Sequence, residues 1–257
     1  MSKIKKFERQ QAIENIAKGR KYVQISDVTK ELLVSESTIR RDIEEMENKG
    51  LLIRSQGSII WNDRTSEYLE NVYYRQDQNI NTKKQLAIPA AQLIEPNDIL
   101  FIDTGTTMME LAKNISDDMN ITVVTNDIQV ALILENKFNV STLILGGFVK
   151  RGTHTVIGSM AERNLEGIYF QKVFLSPGGI TEEGFTFYNM QAMDVRLKVV
   201  NNAQQVIMVA DSTKFGKRGF TFGFPFEKCN VLVTDFKDED WIRKLSSDMK
   251  IISCIDK

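Results

Sequence analysis

The residues of this chain best suited to chemistry fall into two sets. The first is Ser37, Thr38, Arg40 and Arg41, short hydroxyls and guanidinium groups packed into one stretch. At the start of a helix such groups suit phosphate anchoring and base-edge reading. The second set recurs at short turns: Asp103-Thr-Gly-Thr-Thr107, Thr125-Asn126-Asp127, Gly146-Gly147 with Lys150 and Arg151 behind it, Pro177-Gly178-Gly179, and Asp211-Ser-Thr-Lys-Phe-Gly216. Gly105 permits a tight turn. Thr106 and Thr107 place hydroxyls beside the N–H groups that open a helix, which is an anion site. Each turn alone is equally a plain βα connection with a capping residue. Together, Thr, Asn and cations at successive strand ends outline one pocket for a small phosphorylated polyol. Lys214 is the candidate to neutralise the phosphate, and Asp103 or Asp211 to accept sugar hydroxyls.

The first set needs a helix that something else carries. Ser35 is a suitable N-cap and Gly50 a suitable stop. Between them Ile39, Ile43 and Met46 fall on one apolar face, leaving most of the hydroxyl and guanidinium surface off it. The alternative is an ordinary charged helix, since Glu44, Glu45 and Glu47 follow at once. The preceding segment argues against that. A helix is predicted from Glu8 to Ala17, broken by Gly19, and Ser26 can cap a second helix with Val28 and Leu32 inward. Only Leu33 and Val34 separate it from Ser35, so two short helices meet at a tight turn, the geometry of a helix-turn-helix. Beyond Gly50, two apolar runs flank Ser55-Gln-Gly-Ser58, a hairpin turn. That hairpin reads as a wing bearing Arg54 near the DNA backbone or minor groove.

The second set needs strands that end where the turns begin. Apolar runs at 99–102, 121–124, 140–145, 172–175, 205–209, 231–233 and near Ile251 alternate with helical patterns at 82–93, 108–114, 128–134, 159–166, 189–201 and 238–246. Pro89 predicts a kink or early stop in the first of those helices. Apolar strands without clean alternation imply a parallel sheet covered on both faces. In such sheets ligands bind beyond the carboxyl ends of the strands. The 148–157 segment is read as an extra hairpin. The fold class is therefore α/β: an N-terminal winged helix-turn-helix at 1–61, a connector at 62–80, and a larger parallel-sheet domain at 81–257.

Composition bounds the rest. The chain has 257 residues, 42% apolar and 26% charged, which describes a globular protein of about two domains. No apolar run approaches the roughly 20 residues of a membrane helix. The first residues are polar rather than a signal core, so a cytoplasmic location without membrane contact is expected. Two cysteines and one histidine give no metal-ligand spacing; buried free thiols are expected. Residues 1–61 hold 12 Lys and Arg against 9 Asp and Glu, and the remainder 21 against 25. A mildly basic head on an acidic body suits a head that meets phosphate. Its small excess implies weak binding by one head, repaired by two heads on an oligomer.

The stretch SESTIRRDIEEMENKGLLIR resembles the DNA-binding head of the DeoR family of bacterial transcriptional regulators. The wing departs from the family's usual His-Gly-Gly-Ala, reading Gln56-Gly57-Ser58-Ile59. The resemblance implies Ser35, Ser37, Thr38, Arg40, Arg41 and Arg54 as DNA contacts. The stretches DTGTT, VVTN, LGG, GG and DSTKFG resemble the effector domain of the same family. It is similar in fold to sugar-phosphate isomerases and usually senses a phosphorylated sugar. The implied effector contacts are Asp103, Gly105, Thr106, Thr107, Thr125, Asn126, Gly146, Gly147, Arg151, Gly178, Gly179 and Lys214. Ser176 and Gln191 stand where the family more often has glycine and an acidic residue.

Three functions compete. The first is a repressor of sugar-metabolism genes that binds operator DNA as a homodimer or homotetramer, its affinity set by a phosphorylated sugar. The second is a sugar-phosphate isomerase-like enzyme with an accessory head. It would need a general base that no spacing singles out, so no catalytic residue, cofactor or metal is assigned. The third is an architectural regulator with a vestigial pocket. His154 reads as a surface or pocket-rim residue, Trp61 and Trp241 as packing anchors, and the Phe215–Phe226 run as core by default, with a lid or interface as alternatives.

Overall fold

The computed structural model describes residues 6–20, 22–48, 52–55, 57–61, 75, 78–245 and 248–254. The expected helix stop at Gly50, Gln56 of the wing turn and most of the 62–80 connector lie outside the described residues. The chain divides into two compact units, Met1–Gln78 and Asn79–Lys257.

The smaller unit contains helices α1 (Lys6–Arg20), α2 (Ile25–Leu32) and α3 (Glu36–Asn48) and a small antiparallel sheet of β1 (Tyr22–Gln24), β2 (Leu52–Ser55) and β3 (Ser58–Trp61), in the order β1-β3-β2. Ile39, Ile43 and Met46 are buried with Ile13, Ala17, Val28, Leu52 and Ile59 in one core, which explains the periodicity of α3. Strand β1 is not apparent in the sequence. It moves the start of α2 forward: Ile25 is already helical and buried, and its N–H donates to Gly57 O at 2.7 Å. Ser26 therefore lies inside α2 rather than capping it. Gly19 does not break α1, which continues to Arg20. The turn between α2 and α3 runs through Leu33 at φ 51°, whose N–H closes on Thr29 O. Ser55 pairs with Ser58 across the hairpin, and Gly57 takes the positive φ of 81° that so short a turn requires. Trp61 packs against the head core, with Lys18 Nζ 4.7 Å from its ring centre.

The larger unit is built on a parallel sheet in the order β15-β14-β12-β9-β4-β5-β6. The strands are β4 (Ile99–Ile102), β5 (Ile121–Thr125), β6 (Val140–Ile144), β9 (Phe170–Leu175), β12 (Ala203–Ala210), β14 (Val231–Thr234) and β15 (Lys250–Ser253). Helix α4 (Ile80–Ala91) precedes the first of them, and α5 (Thr106–Asn114), α6 (Ile128–Glu135), α7 (Ser159–Arg163), α8 (Met193–Asn201) and α9 (Glu239–Ile242) connect them. Pro89 sits in the last turn of α4, which stops two residues later. Phe101, Phe170, Val173, Met208 and Leu232 form the heart of the core. The predicted hairpin at 148–157 is present as β7 (Phe148–Val149) and β8 (Val156–Ile157). Three strands are missing from the sequence reading: β10 (Gly179–Thr181), β11 (Gly184–Phe187) and β13 (Thr221–Phe224), an antiparallel sheet of its own. It resolves the aromatic run: Phe224 and Phe226 are buried against Phe185, while Phe220 and Phe222 are exposed.

Strand order reverses between β4 and β9. The chain steps outward through β5 and β6, then returns to the other side of β4 with β9 and β12. The crevice at such a reversal lies beyond the carboxyl ends of the strands. The five turns singled out in the sequence follow β4, β5, β6, β9 and β12, which are contiguous in the sheet.

Candidate functional site

In the smaller unit, Ser35 stands immediately before α3, and Thr38 and Ile39 donate backbone N–H groups to its carbonyl at 3.0 and 3.1 Å. Its hydroxyl lies 2.8 Å from Thr38 Oγ1 and 3.3 Å from Ser37 Oγ. Ser35, Ser37, Arg40 and Arg41 are exposed and Thr38 half-buried, so the polar face of α3 is open. The two arginines differ. Arg40 donates to Glu36 one turn back at 2.8 and 2.6 Å, whereas Arg41 makes no ion pair among the described residues. Arg54 on the wing is tied to Glu47 of α3, through its backbone N–H at 3.0 Å and Nε at 2.5 Å. The sequence reading missed the residue that sets α3 in place. Asp42 is buried and accepts from Arg9 Nη2 at 3.0 Å and from Arg9 Nε. That hydrogen bond raises the Arg9 pKa further, against a smaller opposing effect of burial, and locks α1 to α3.

In the larger unit the expected residues divide by what they do. Asp103 leaves β4 fully buried, and its Oδ2 accepts from Arg196 Nε of α8 at 2.7 Å. Arg196, also buried, donates to Asn189 O at 3.2 Å and lies 4.5 Å from the Phe187 ring centre. Asn189 Oδ1 in turn accepts from Lys150 Nζ at 3.3 Å. Asn126 leaves β5 beside Asp103, because Ile102 and Thr125 are register partners. Asp103 Oδ1, both amide atoms of Asn126, and Asn189 Nδ2 are buried with no hydrogen-bond partner among the described residues. Buried polar atoms are nearly always paired. Asp103 and Asn126 lie at adjoining strand ends, and Asn189 is joined to Asp103 through Arg196. Arg196 and Asn189 carry no local sequence signal.

Thr106 and Thr107 are buried in the first turn of α5, after Gly105 at φ 130°. That turn is held by Asp127, which accepts from Thr104 Oγ1 at 2.7 Å and Gly105 N–H at 3.1 Å with Oδ2, and caps α6 with Oδ1. Burial pushes the Asp127 pKa up, more than these hydrogen bonds pull it down. The folded chain therefore binds this proton more tightly than the unfolded chain. Stability from this group is fully present below its ordinary 3.8 and is lost as pH rises through the raised folded value. Relative to Asp127→Asn, the wild type is expected to lose unfolding free energy as the pH rises above the ordinary carboxylate value of 3.8. A pH-independent difference in urea titrations would reject this.

Other expected contacts serve the scaffold. Thr125 Oγ1 donates to Ile102 O at 2.7 Å and accepts from Asp127 N–H at 3.1 Å, which commits the hydroxyl. Asp211 caps the short helix Ser212–Lys214 by accepting from Thr213 N–H at 3.0 Å, and also accepts from Asn79 Nδ2 at 3.4 Å. Its Oδ1 thus anchors the loop after β12. Three glycines answer to crowding. A Cβ on Gly147 would come within 2.6 Å of Ile157 O, one on Gly178 within 2.8 Å of the Tyr188 ring, and one on Gly179 would collide with Lys217 O. Gly146 N–H donates to Asn164 Oδ1 at 2.7 Å. Arg151 is exposed on the turn between β7 and β8, and Lys214 is half-buried in the loop after β12.

Comparison with known families decides the kinship. A model of the DeoR-like helix-turn-helix domain matches residues 9–65, and one of the DeoR C terminal sensor domain matches residues 78–236. The chain belongs to the DeoR family. It is similar to the HTH-type transcriptional regulator YulB of Bacillus subtilis (strain 168), 32% identical, with 89% of this chain and 88% of that one aligned. The lactose phosphotransferase system repressor of Streptococcus mutans serotype c is 30% identical over 97% of this chain and all 100% of its own length. Among solved structures, the sorbitol operon regulator SorC of Klebsiella pneumoniae aligns with a TM-score of 0.40 at 10% identity, covering 94% of this chain and 99% of that one. Ribose 5 phosphate isomerase A of Neisseria gonorrhoeae aligns with a TM-score of 0.39 at 13% identity, covering 53% and 54%. Among the described residues, no helix is long and apolar enough to cross a membrane.

Proposed function

We propose that this DeoR-family regulator is a repressor of sugar-metabolism genes. Its α3 face enters the major groove of operator DNA, and the cleft at the β4, β5 and β9 ends binds a phosphorylated sugar that controls DNA affinity. The observation that carries the ligand reading is the set of unpartnered buried atoms on Asp103, Asn126 and Asn189. Asp103 Oδ1 needs a donor, Asn189 Nδ2 needs an acceptor, and the Asn126 amide needs one of each. Sugar hydroxyls supply both. A phosphate does not fit beside the Asp103 carboxylate, so the anion belongs at the start of α5, near Thr106 and Thr107, with Lys214 or Arg151 at the rim. Two copies of the chain present two heads to two half-sites. The lactose phosphotransferase system repressor is similar over 97% of this chain, which fits a sugar-related target.

A thermal-shift screen of pentose and hexose phosphates against the matching unphosphorylated sugars tests the ligand. The true effector at 100-fold over its Kd stabilises the larger unit by about 2.7 kcal/mol. Equal shifts from sugar and sugar phosphate, or none from any, would remove the reading. On the DNA side, Arg41→Ala is expected to weaken operator binding about tenfold and to flatten the salt dependence by about one charge. Arg40→Ala costs less, because Glu36 already neutralises that guanidinium. Mobility-shift titrations at two salt concentrations check both, and wild-type affinity in Arg41→Ala would displace α3 from the groove.

A further inference from the structure

The parallel sheet of the larger unit ends in two unlike edges. Edge strand β15 carries Lys250, with Asp248 just before it, the usual guard of charge against strand addition. Edge strand β6 has none. From Phe138 to Val149 the chain contains no Asp, Glu, Lys or Arg. The cations that flank it turn elsewhere: Lys137 Nζ donates to Ile115 O at 2.6 Å, and Lys150 Nζ to Asn189 Oδ1 at 3.3 Å. Along the same stretch Phe138 is 95% exposed and Phe148 77%, with Leu143, Ile144 and Val149 about half exposed. An unguarded strand edge with apolar side chains at both ends is a pairing surface.

We propose that β6 pairs with β6 of a second copy of this chain, antiparallel, about a two-fold axis at Leu143. This deepens the reading above only in naming the surface by which two copies meet. A strand edge is satisfied by another strand edge, and a two-fold axis makes one strip its own partner. Self-apposition usually sets like charges together, and this strip has no charge to oppose itself. Phe138 lies five residues before Leu143 and Phe148 five after, so the axis brings each aromatic end against the other end of the second copy. The two Phe side chains alone remove on the order of 300 Å² per copy from water, a large part of the roughly 800 Å² per partner of a standard interface. Leu143, Ile144, Val149 and the backbone edge add to it.

Sedimentation velocity on the full chain tests this. The wild type is expected to sediment as a dimer or larger even-numbered assembly at about 10 µM. Leu143→Lys and Leu143→Glu each set two like charges together at the axis and lower the association constant at least roughly 100-fold, while far-UV circular dichroism shows the folded helix and strand content retained. An equimolar mixture of the two restores the assembly, because the charges are then opposite. Phe222→Ser, at another exposed aromatic, leaves assembly intact. The proposal is overturned by a wild type that stays monomeric, by either Leu143 variant assembling normally, by a mixture that does not recover, or by dissociation of Phe222→Ser. A monomeric wild type also ends the two-headed reading, whereas normal assembly of the Leu143 variants ends this proposal alone. If the Leu143 variants fail to fold, Phe138→Ser replaces them, and undiminished association in that variant overturns the proposal.

Discussion

Asp103→Ala is expected to lower the unfolding midpoint of the larger unit by roughly 10 °C, from a loss of about 3–5 kcal/mol. The substitution strands the Arg196 guanidinium, which is 3% exposed and has its Nε on the lost carboxylate. Asn189 O and the Phe187 ring face remain, but neither carries a negative charge. Asp103→Asn separates this role from recognition. Its amide oxygen still accepts from Arg196, so less stability is lost, while the acceptor offered to a ligand hydroxyl as Oδ1 is compromised. Differential scanning calorimetry gives the first quantity and titration with the sugar phosphate found by screening the second. An Asp103→Ala chain that melts like the wild type would show that the Asp103–Arg196 pair does not hold the cleft.

Asp42→Ala is expected to take about half of the head's stability, lowering its unfolding midpoint and weakening operator binding through a looser α1–α3 contact. The Asp42 carboxylate is 3% exposed and its Arg9 partner 13%, so its removal leaves a mostly buried cation at the α1–α3 contact. Such losses run to about 3–5 kcal/mol, and the partial exposure of Arg9 brings this one nearer 2–3. A head of this size has about 5 kcal/mol to lose. Two transitions should appear in a thermal scan, with only the head's displaced. Full operator affinity in this variant would mean that α3 keeps its place without Asp42. The motif Thr38-Ile-Arg-Arg-Asp42 thus divides its work: Ile39 enters the core, Arg41 faces outward, and Asp42 anchors.

Much of this was legible because local chemistry and fold agree. The runs ending at Ile102, Thr125, Leu145, Leu175 and Ala210 are each followed by Asp, Asn, Gly or Ser, so strand ends could be placed within a few residues. The periodicity of Ile39, Ile43 and Met46 identified the buried face of α3. Other features had no local signal. β1 spans only Tyr22–Gln24 and exists by pairing with β3. β11 is buried at all four positions, so it shows no alternation. The Arg196–Asp103 pair joins residues 93 apart and the Arg9–Asp42 pair residues 33 apart, distances over which no spacing rule operates. The glycines at 147, 178 and 179 look like ligand-cradling residues in sequence, yet backbone and ring crowding already requires them.

The manner in which the cleft's loops are fastened bears on how such a sensor could acquire a new metabolite. Thr104, Asp127 and Thr155 cross-link the loops after β4 and β5 and the start of β8. A replacement there disturbs three loops at once. The loop after β12 is fastened elsewhere, through Asp211 to Thr213 and Asn79 and through Ser212 to Asp235. A replacement at Ser212 or Thr213 is felt instead where Asp235 and Asn79 hold that loop, so the two parts of the scaffold can change independently.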